Sequence, residues 1–286
     1  MEIKTIAKIR SGQQDGAIFG DCMFRFNAKG EGRVYDMNAI VGGNPDEEIE
    51  PIASFILDRA EEICPHCNAV VFGNEYFAEG DEFPLLYSNI YNNYAKTERP
   101  LKGVCCVYRL QRDGNGFKTT LVQLIEIGFV EDADLWKRTP TEDGIRPYGN
   151  FVIDTERNLY HGFVMRDEET GTRYFTFDLP RLCDGEIDET FGVKKVILRP
   201  EDIHKHFDCP AHYYIQGACC HGGKIYSVEG FKNTPAIRVI DPNAARQEMT
   251  VFFPDHGLID EAEFIDFYGD TCYYSDCRGY IYQLEF

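Results

Sequence analysis

The chain is predicted to be all-β, with five four-stranded antiparallel units arranged in a ring, and three observations predict it. Short apolar segments recur along its length with Gly, Asn or Asp turns between them, while no long window carries a 3.6-residue apolar period. The stretches GAIFGDCMFRF, GACCHGGKIYSV and AEFIDFYGDTCYYS repeat one sentence: apolar strand, tight turn, apolar strand. Finally, the last unit is one strand short at the C terminus, while the chain opens with a strand that has no partner of its own.

That opening strand spans residues 3–9. The first unit reads as strands at 17–19, 22–26 and 33–37, joined through Gly20-Asp21 and Asn27-Ala28-Lys29-Gly30, with 52–57 as its fourth. The second comprises 68–72, 85–91, 104–110 and 119–127, its last two strands meeting at the hairpin signal Asp113-Gly114-Asn115-Gly116. Strands at 150–154, 159–164, 173–177 and 194–198 make the third. The fourth is 217–220, 224–228, 236–240 and 248–253, with His221-Gly222-Gly223 as its first turn, and the fifth holds only 263–267, 271–275 and 280–284. If residues 3–9 supply the missing strand, the ring closes and the terminal edges disappear. Splitting the long second unit, 68–129, into two degenerate ones would give a ring of six instead.

This arrangement resembles the five-bladed β-propeller superfamily, of the arabinanase-like, fructosidase-like and lectin-like kind. The likeness is architectural and spans nearly the whole chain, so residues 1–286 read as one domain. The average of roughly 57 residues per unit exceeds the common propeller repeat, with the excess gathered in a few loops.

Composition limits the partners. Apolar residues make up 43% of the chain and aromatics 14%, with Trp136 the single tryptophan, so the chain has the means to build a β-rich core. A net charge of −19 repels phosphate backbones and anionic lipid, which argues against nucleic acid and membrane surfaces as partners. No apolar run approaches the length of a membrane span, and the N terminus lacks a signal-peptide core, so the expected location is cytoplasmic. Eleven cysteines, several inside apolar runs, then read as reduced and buried.

In a propeller the loop entering each blade's first strand opens on the axis. Those loops carry Gln13, Gln14 and Asp15; then Pro65, His66 and Asn68; then Arg146, Tyr148 and Asn150; then His212, Tyr214 and Gln216; then Asp260, Glu261 and Glu263. Every unit contributes hydrogen-bonding or acid–base groups, which predicts an axial pocket for a small polar ligand. A carbohydrate or sugar acid suits it, because sugars offer hydroxyls to polar groups and apolar faces to rings such as Tyr148, Tyr213, Tyr214 and those of residues 91–94. Hydrolysis of a glycoside needs two carboxyl groups across the sugar, and Asp15 and Glu263 are the acid–base candidates, assisted by His66. The remaining ligand-binding candidates are Gln14, Asn68, Arg146, Tyr148, His212, Gln216 and Glu261. An arabinanase-like enzyme would carry further acids on its early and middle blades, where this chain has His66, Arg146 and His212.

A second reading places a divalent metal on His66, His212 and Gln216, with a carboxylate from Asp15 or Glu263, as in a metal-dependent hydrolase or lyase. Arg146 would then clamp a carboxylate substrate. A third is a non-catalytic interaction propeller that meets a protein partner at its rim. Other motifs carry less. Cys64-Pro65-His66-Cys67 has thiol-oxidoreductase spacing but precedes a strand rather than opening a helix. His204 and His206 form a pair without a third ligand, and Gly42-Gly43 and Gly222-Gly223 are turns rather than phosphate cradles. Asn92-Asn93 and the long loop 130–146 are the expected lids.

Overall fold

The computed structural model describes residues 2–90, 101, 103–127, 150–167, 171–210, 215–230 and 235–286. Strand β1 (Glu2–Ile9) comes first. Blade 1 follows as β2 (Gly16–Phe19), β3 (Cys22–Phe26) and β4 (Glu31–Asp36), then, after the short helix α1 (Met37–Val41) and the two-residue β5 (Glu48–Ile49), its outer strand β6 (Ala53–Ile56). Helix α2 (Ala60–Ile63) leads into blade 2, with β7 (Val70–Phe72), β8 (Leu86–Asn89), β9 (Val104–Asp113) and β10 (Gly116–Ile127). Blade 3 starts with β11 (Asn150–Asp154), β12 (Leu159–Asp167) and β13 (Gly171–Asp178). Between that strand and the fourth of the blade lie β14 (Glu186–Asp188) and β15 (Val193–Leu198), and β16 (Lys205–Cys209) completes it. Blade 4 is β17 (Ile215–His221), β18 (Lys224–Glu229), β19 (Ala236–Asp241) and β20 (Arg246–Phe252); blade 5 is β21 (Ala262–Tyr268), β22 (Thr271–Asp276), β23 (Tyr280–Glu285) and β1.

The ring closes as the unpaired ends predict. Strand β1 runs antiparallel to β23, with Glu2 opposite Glu285 and Lys8 opposite Tyr280, so the last blade takes its outer strand from the N terminus. The first strands touch in succession around the axis, β2 to β7 to β11 to β17 to β21 and back to β2. The second unit is one blade rather than two, which fixes the number at five.

One strand assignment is corrected. Residues 193–198 do not complete blade 3. They run parallel to β10, Gln123 opposite Lys194 and Ile127 opposite Leu198, and with β14 extend blade 2 to six strands. Burial explains the choice: Val193 packs on the core between blades 1 and 2, and Val196 and Leu198 on the core between blades 2 and 3. Lys195 then bridges Glu126 at 3.3 Å and Asp188 at 3.1 Å. The outer strand of blade 3 is the alternating segment Lys-His-Phe-Asp-Cys, whose Phe207 stacks on Tyr174 at 5.3 Å. The His204/His206 pair therefore lies exposed at and beside this edge strand, with His204 3.3 Å from Asp178.

The core lies between blades rather than in one centre. Phe24, Phe72, Phe83 and Phe117 meet edge-to-face or stacked between blades 1 and 2, with ring centroids 5.4 to 6.5 Å apart. Each such aromatic contact adds about 0.5–1.5 kcal/mol beyond the area it buries. All eleven cysteines are unpaired. Cys67, fully buried, has its thiol pushed up to about 12 by desolvation, which disfavours its thiolate.

Candidate functional site

The starts of the five first strands meet at the axis, and side-chain hydrogen bonds cross every junction between them. Blade 1 is tied to blade 2 by Asp15, whose backbone N–H donates to Cys67 O at 3.1 Å and whose Oδ2 accepts from Val70 N at 2.9 Å. Blade 2 reaches blade 3 through Asn89, which donates to Asn68 Oδ1 at 2.5 Å and to Asn150 Oδ1 at 3.3 Å. Asn150 Nδ2 donates onward to Ile215 O of blade 4 at 3.2 Å, and Gln216 Nε2 donates to Glu261 Oε1 of blade 5 at 2.5 Å. Toward the far ends of the first strands, away from this girdle, Asp266 joins blade 5 to blade 1, its Oδ2 accepting from Ile18 N at 2.6 Å. Four of the predicted site residues (Asp15, Asn68, Gln216 and Glu261) and Asn150 of the predicted loops thus belong to one girdle.

The girdle is tight. A Cβ on Gly217 would stand 2.7 Å from Asp15 Oδ1 and 2.7 Å from the Glu263 carbonyl, so only glycine lets blades 4, 5 and 1 approach this closely. Asp15 is 0% exposed, and its Oδ1 has no hydrogen-bond partner among the described residues. It therefore acts in this arrangement as a strut between blades. Glu263 is 3% exposed with Oε2 likewise unpartnered, beside the partly exposed Gln216–Glu261 bridge. Gln14 and His66 are partly exposed at the same end of the axis.

Electrostatics follow from burial. Desolvation raises the Asp15 and Glu263 carboxyls well above the usual range, aided for Glu263 by the neighbouring Glu261 charge and opposed in both by Arg25. Arg25 is itself 0% exposed: it lies 4.5 Å over the Phe264 ring and donates through Nη2 to Gln14 O at 2.7 Å. Burial lowers it to about 10, so it remains a cation at neutral pH. Burial also lowers His66 to about 4, leaving a neutral imidazole.

Arg146, Tyr148 and His212 lie outside the described residues, as do Tyr213, Tyr214, the 91–94 stretch and the 130–146 loop. The three-residue metal set is therefore placed only at His66 and Gln216. Among the described residues no group of three or more His, Cys, Asp or Glu side chains is arranged to hold a metal ion. Sequence reasoning missed Asn89, Arg25 and Asp266. Arg25 and Asp266 are each a lone polar residue inside an apolar strand, and Asn89 follows Ser88 at the end of one; that pattern was the available signal, because a polar group there must find a buried partner.

No family model matches the chain, and no curated protein matches it in sequence. The fold is similar to Myxococcus xanthus glutaminyl cyclase, at 9% identity over 100% of this chain and 94% of the other, with a TM-score of 0.52. Weaker likenesses include BamB from Moraxella catarrhalis (7% identity, 99% of this chain and 61% of that one, TM-score 0.37). Another is a putative oxidoreductase (glucose dehydrogenase) of Thermus thermophilus (10% identity, 99% of each chain, TM-score 0.46). At such identities the likeness is one of fold, and the propeller resemblance stands at that level.

Proposed function

We propose that the protein binds a small neutral carbohydrate at the girdle end of the axis, over Gln14, His66, Gln216 and Glu261, with Asn68 and Glu263 beneath. The carrying observation is Glu263. Burial and the neighbouring Glu261 charge raise this carboxyl well above its usual range, which favours its protonated form, and its Oε2, without a partner among the described residues, leaves hydrogen-bonding capacity unused next to the Gln216–Glu261 bridge. Sugars need this mixture of donors and acceptors. The carboxyl-rich surroundings favour a neutral sugar over a sugar acid, whose charge Glu261 would repel.

For a hydrolytic step, Glu263 is the proton donor and the partly exposed Glu261 the second carboxyl, because enclosure denies Asp15 contact with a ligand. Thermal unfolding against a panel of neutral mono- and disaccharides and uronic acids tests the reading. A neutral sugar is expected to raise the Tm of the wild type, and both Gln216→Ala and Glu261→Gln to remove that rise while remaining folded. No response to any sugar, or an equal response in both variants, would refute it.

A further inference from the structure

The axis has a second feature at the opposite ends of the first strands. There a cavity of about 360 Å³ is lined by residues from all five blades, a size suited to a small ligand. Ile18, Phe19, Val71, Phe72 and Ile153 give it an apolar wall, and polar atoms make up much of the rest of the lining. One acidic group, Asp266 of β21, also lines it. Exposed Asn74 and Thr155 stand at the rim, joined by a hydrogen bond from Asn74 Nδ2 to Thr155 O at 2.9 Å.

We propose that this cavity binds a small organic ammonium ion, with its charge on Asp266 and its hydrocarbon part against the phenylalanine and aliphatic walls. Asp266 is surrounded by protein, yet part of its surface is reached from the cavity. Its oxygens accept from Ile18 N at 2.6 Å and Phe267 N at 2.8 Å, which fixes the carboxyl and leaves lone pairs for a further donor. Among the described residues no cationic side chain is one of the groups that influence it, so none of them supplies the ionised form with a counter-charge. The titratable neighbours that feel Asp266 are Asp15 of blade 1, Cys219 on β17 and Cys272 on β22, none of which supplies one.

Burial raises Asp266 to about 7, so the acceptor charge forms across neutral pH. The net charge of −19 draws cations toward the molecule. A divalent metal suits the cavity poorly, since such ions take several oxygen ligands and Asp266 is the one carboxylate among its described lining residues. This reading is independent of the carbohydrate proposal, which concerns the other end of the axis.

Calorimetric titration with benzylammonium, ammonium chloride and benzyl alcohol tests it on the intact chain. Benzylammonium is expected to bind at least about tenfold more tightly than either control, as a charge-assisted hydrogen bond and apolar contact together require. Its affinity should rise about tenfold from pH 6 to pH 8 as Asp266 ionises. Asp266→Asn should abolish the preference over the alcohol. Thr155→Trp, at the exposed rim, should block binding without touching the carboxyl. Equal binding of the alcohol, equal binding of ammonium chloride, unchanged affinity in both variants, or no binding by the wild type would each overturn the proposal.

Discussion

At the scale of single residues, burial at the axis sets both stability and chemistry. Asp266 keeps its proton to about pH 7 in the folded protein but only to about 3.8 in an unfolded chain. Its contribution to stability is therefore complete below the unfolded value and is lost as pH rises through about 7, a loss of up to about 4 kcal/mol. Urea denaturation between pH 4 and 8 should show wild type losing stability relative to Asp266→Asn over that window; parallel curves would show that the carboxyl is not raised. Gly217→Ala should cost about 1–3 kcal/mol, because the added methyl meets the Asp15 carboxyl and the Glu263 carbonyl at 2.7 Å and the strand backbone must shift. A thermal unfolding curve superimposable on wild type would show that the girdle is looser than described. Much of this was legible from residue type and loop position alone: Asp15, Asn68, Gln216, Glu261 and Glu263 do converge. Asn89 and Asp266 were not found, because a polar residue inside an apolar run betrays burial but not which neighbour will satisfy it.

At the scale of elements, pairing follows burial more than spacing. Strand β1 brings the fully buried Ala7 and Ile9 and the nearly buried Ile6 to blade 5 and covers the edge of β23. Deleting residues 2–9 removes several kcal/mol of apolar burial, a large share of a typical domain's total stability, and exposes a strand edge. Size-exclusion chromatography should find that truncated chain aggregated or unfolded, and a monomer with unchanged Tm would contradict the closure. Because Glu2 and Glu285 are register partners, a permutant joined across them and opened in the 113–116 turn should unfold as cooperatively as wild type. Between blades, Phe24→Ala should cost about 3–5 kcal/mol, since it empties a cluster of four rings; a loss below about 1 kcal/mol would mean the blades pack independently. The antiparallel hairpins were readable because period-two apolarity and turn residues are local signals. The parallel pairing of β15 with β10 was not, since that strand leaves its own blade for an apolar surface more than sixty residues earlier in the chain, and spacing alone assigns it to the nearest unit.

At the scale of the whole molecule, five blades place two different chemistries at the two ends of one axis: a hydrogen-bonded polar girdle where the first strands begin, and a cavity with an apolar wall and one carboxyl where they end. The ring was legible because an unpaired first strand and a blade one strand short can satisfy each other only by closure. The ligand was not, because fold leaves chemistry to side chains, and the two ends differ by only a few of them. The most direct measurement is amide hydrogen exchange with and without a saturating neutral sugar taken from the thermal panel. Slowed exchange confined to peptides covering residues 13–16, 66–70, 215–217 and 261–263 is the predicted result. Protection elsewhere, or none in those four segments, would contradict a carbohydrate site at the girdle.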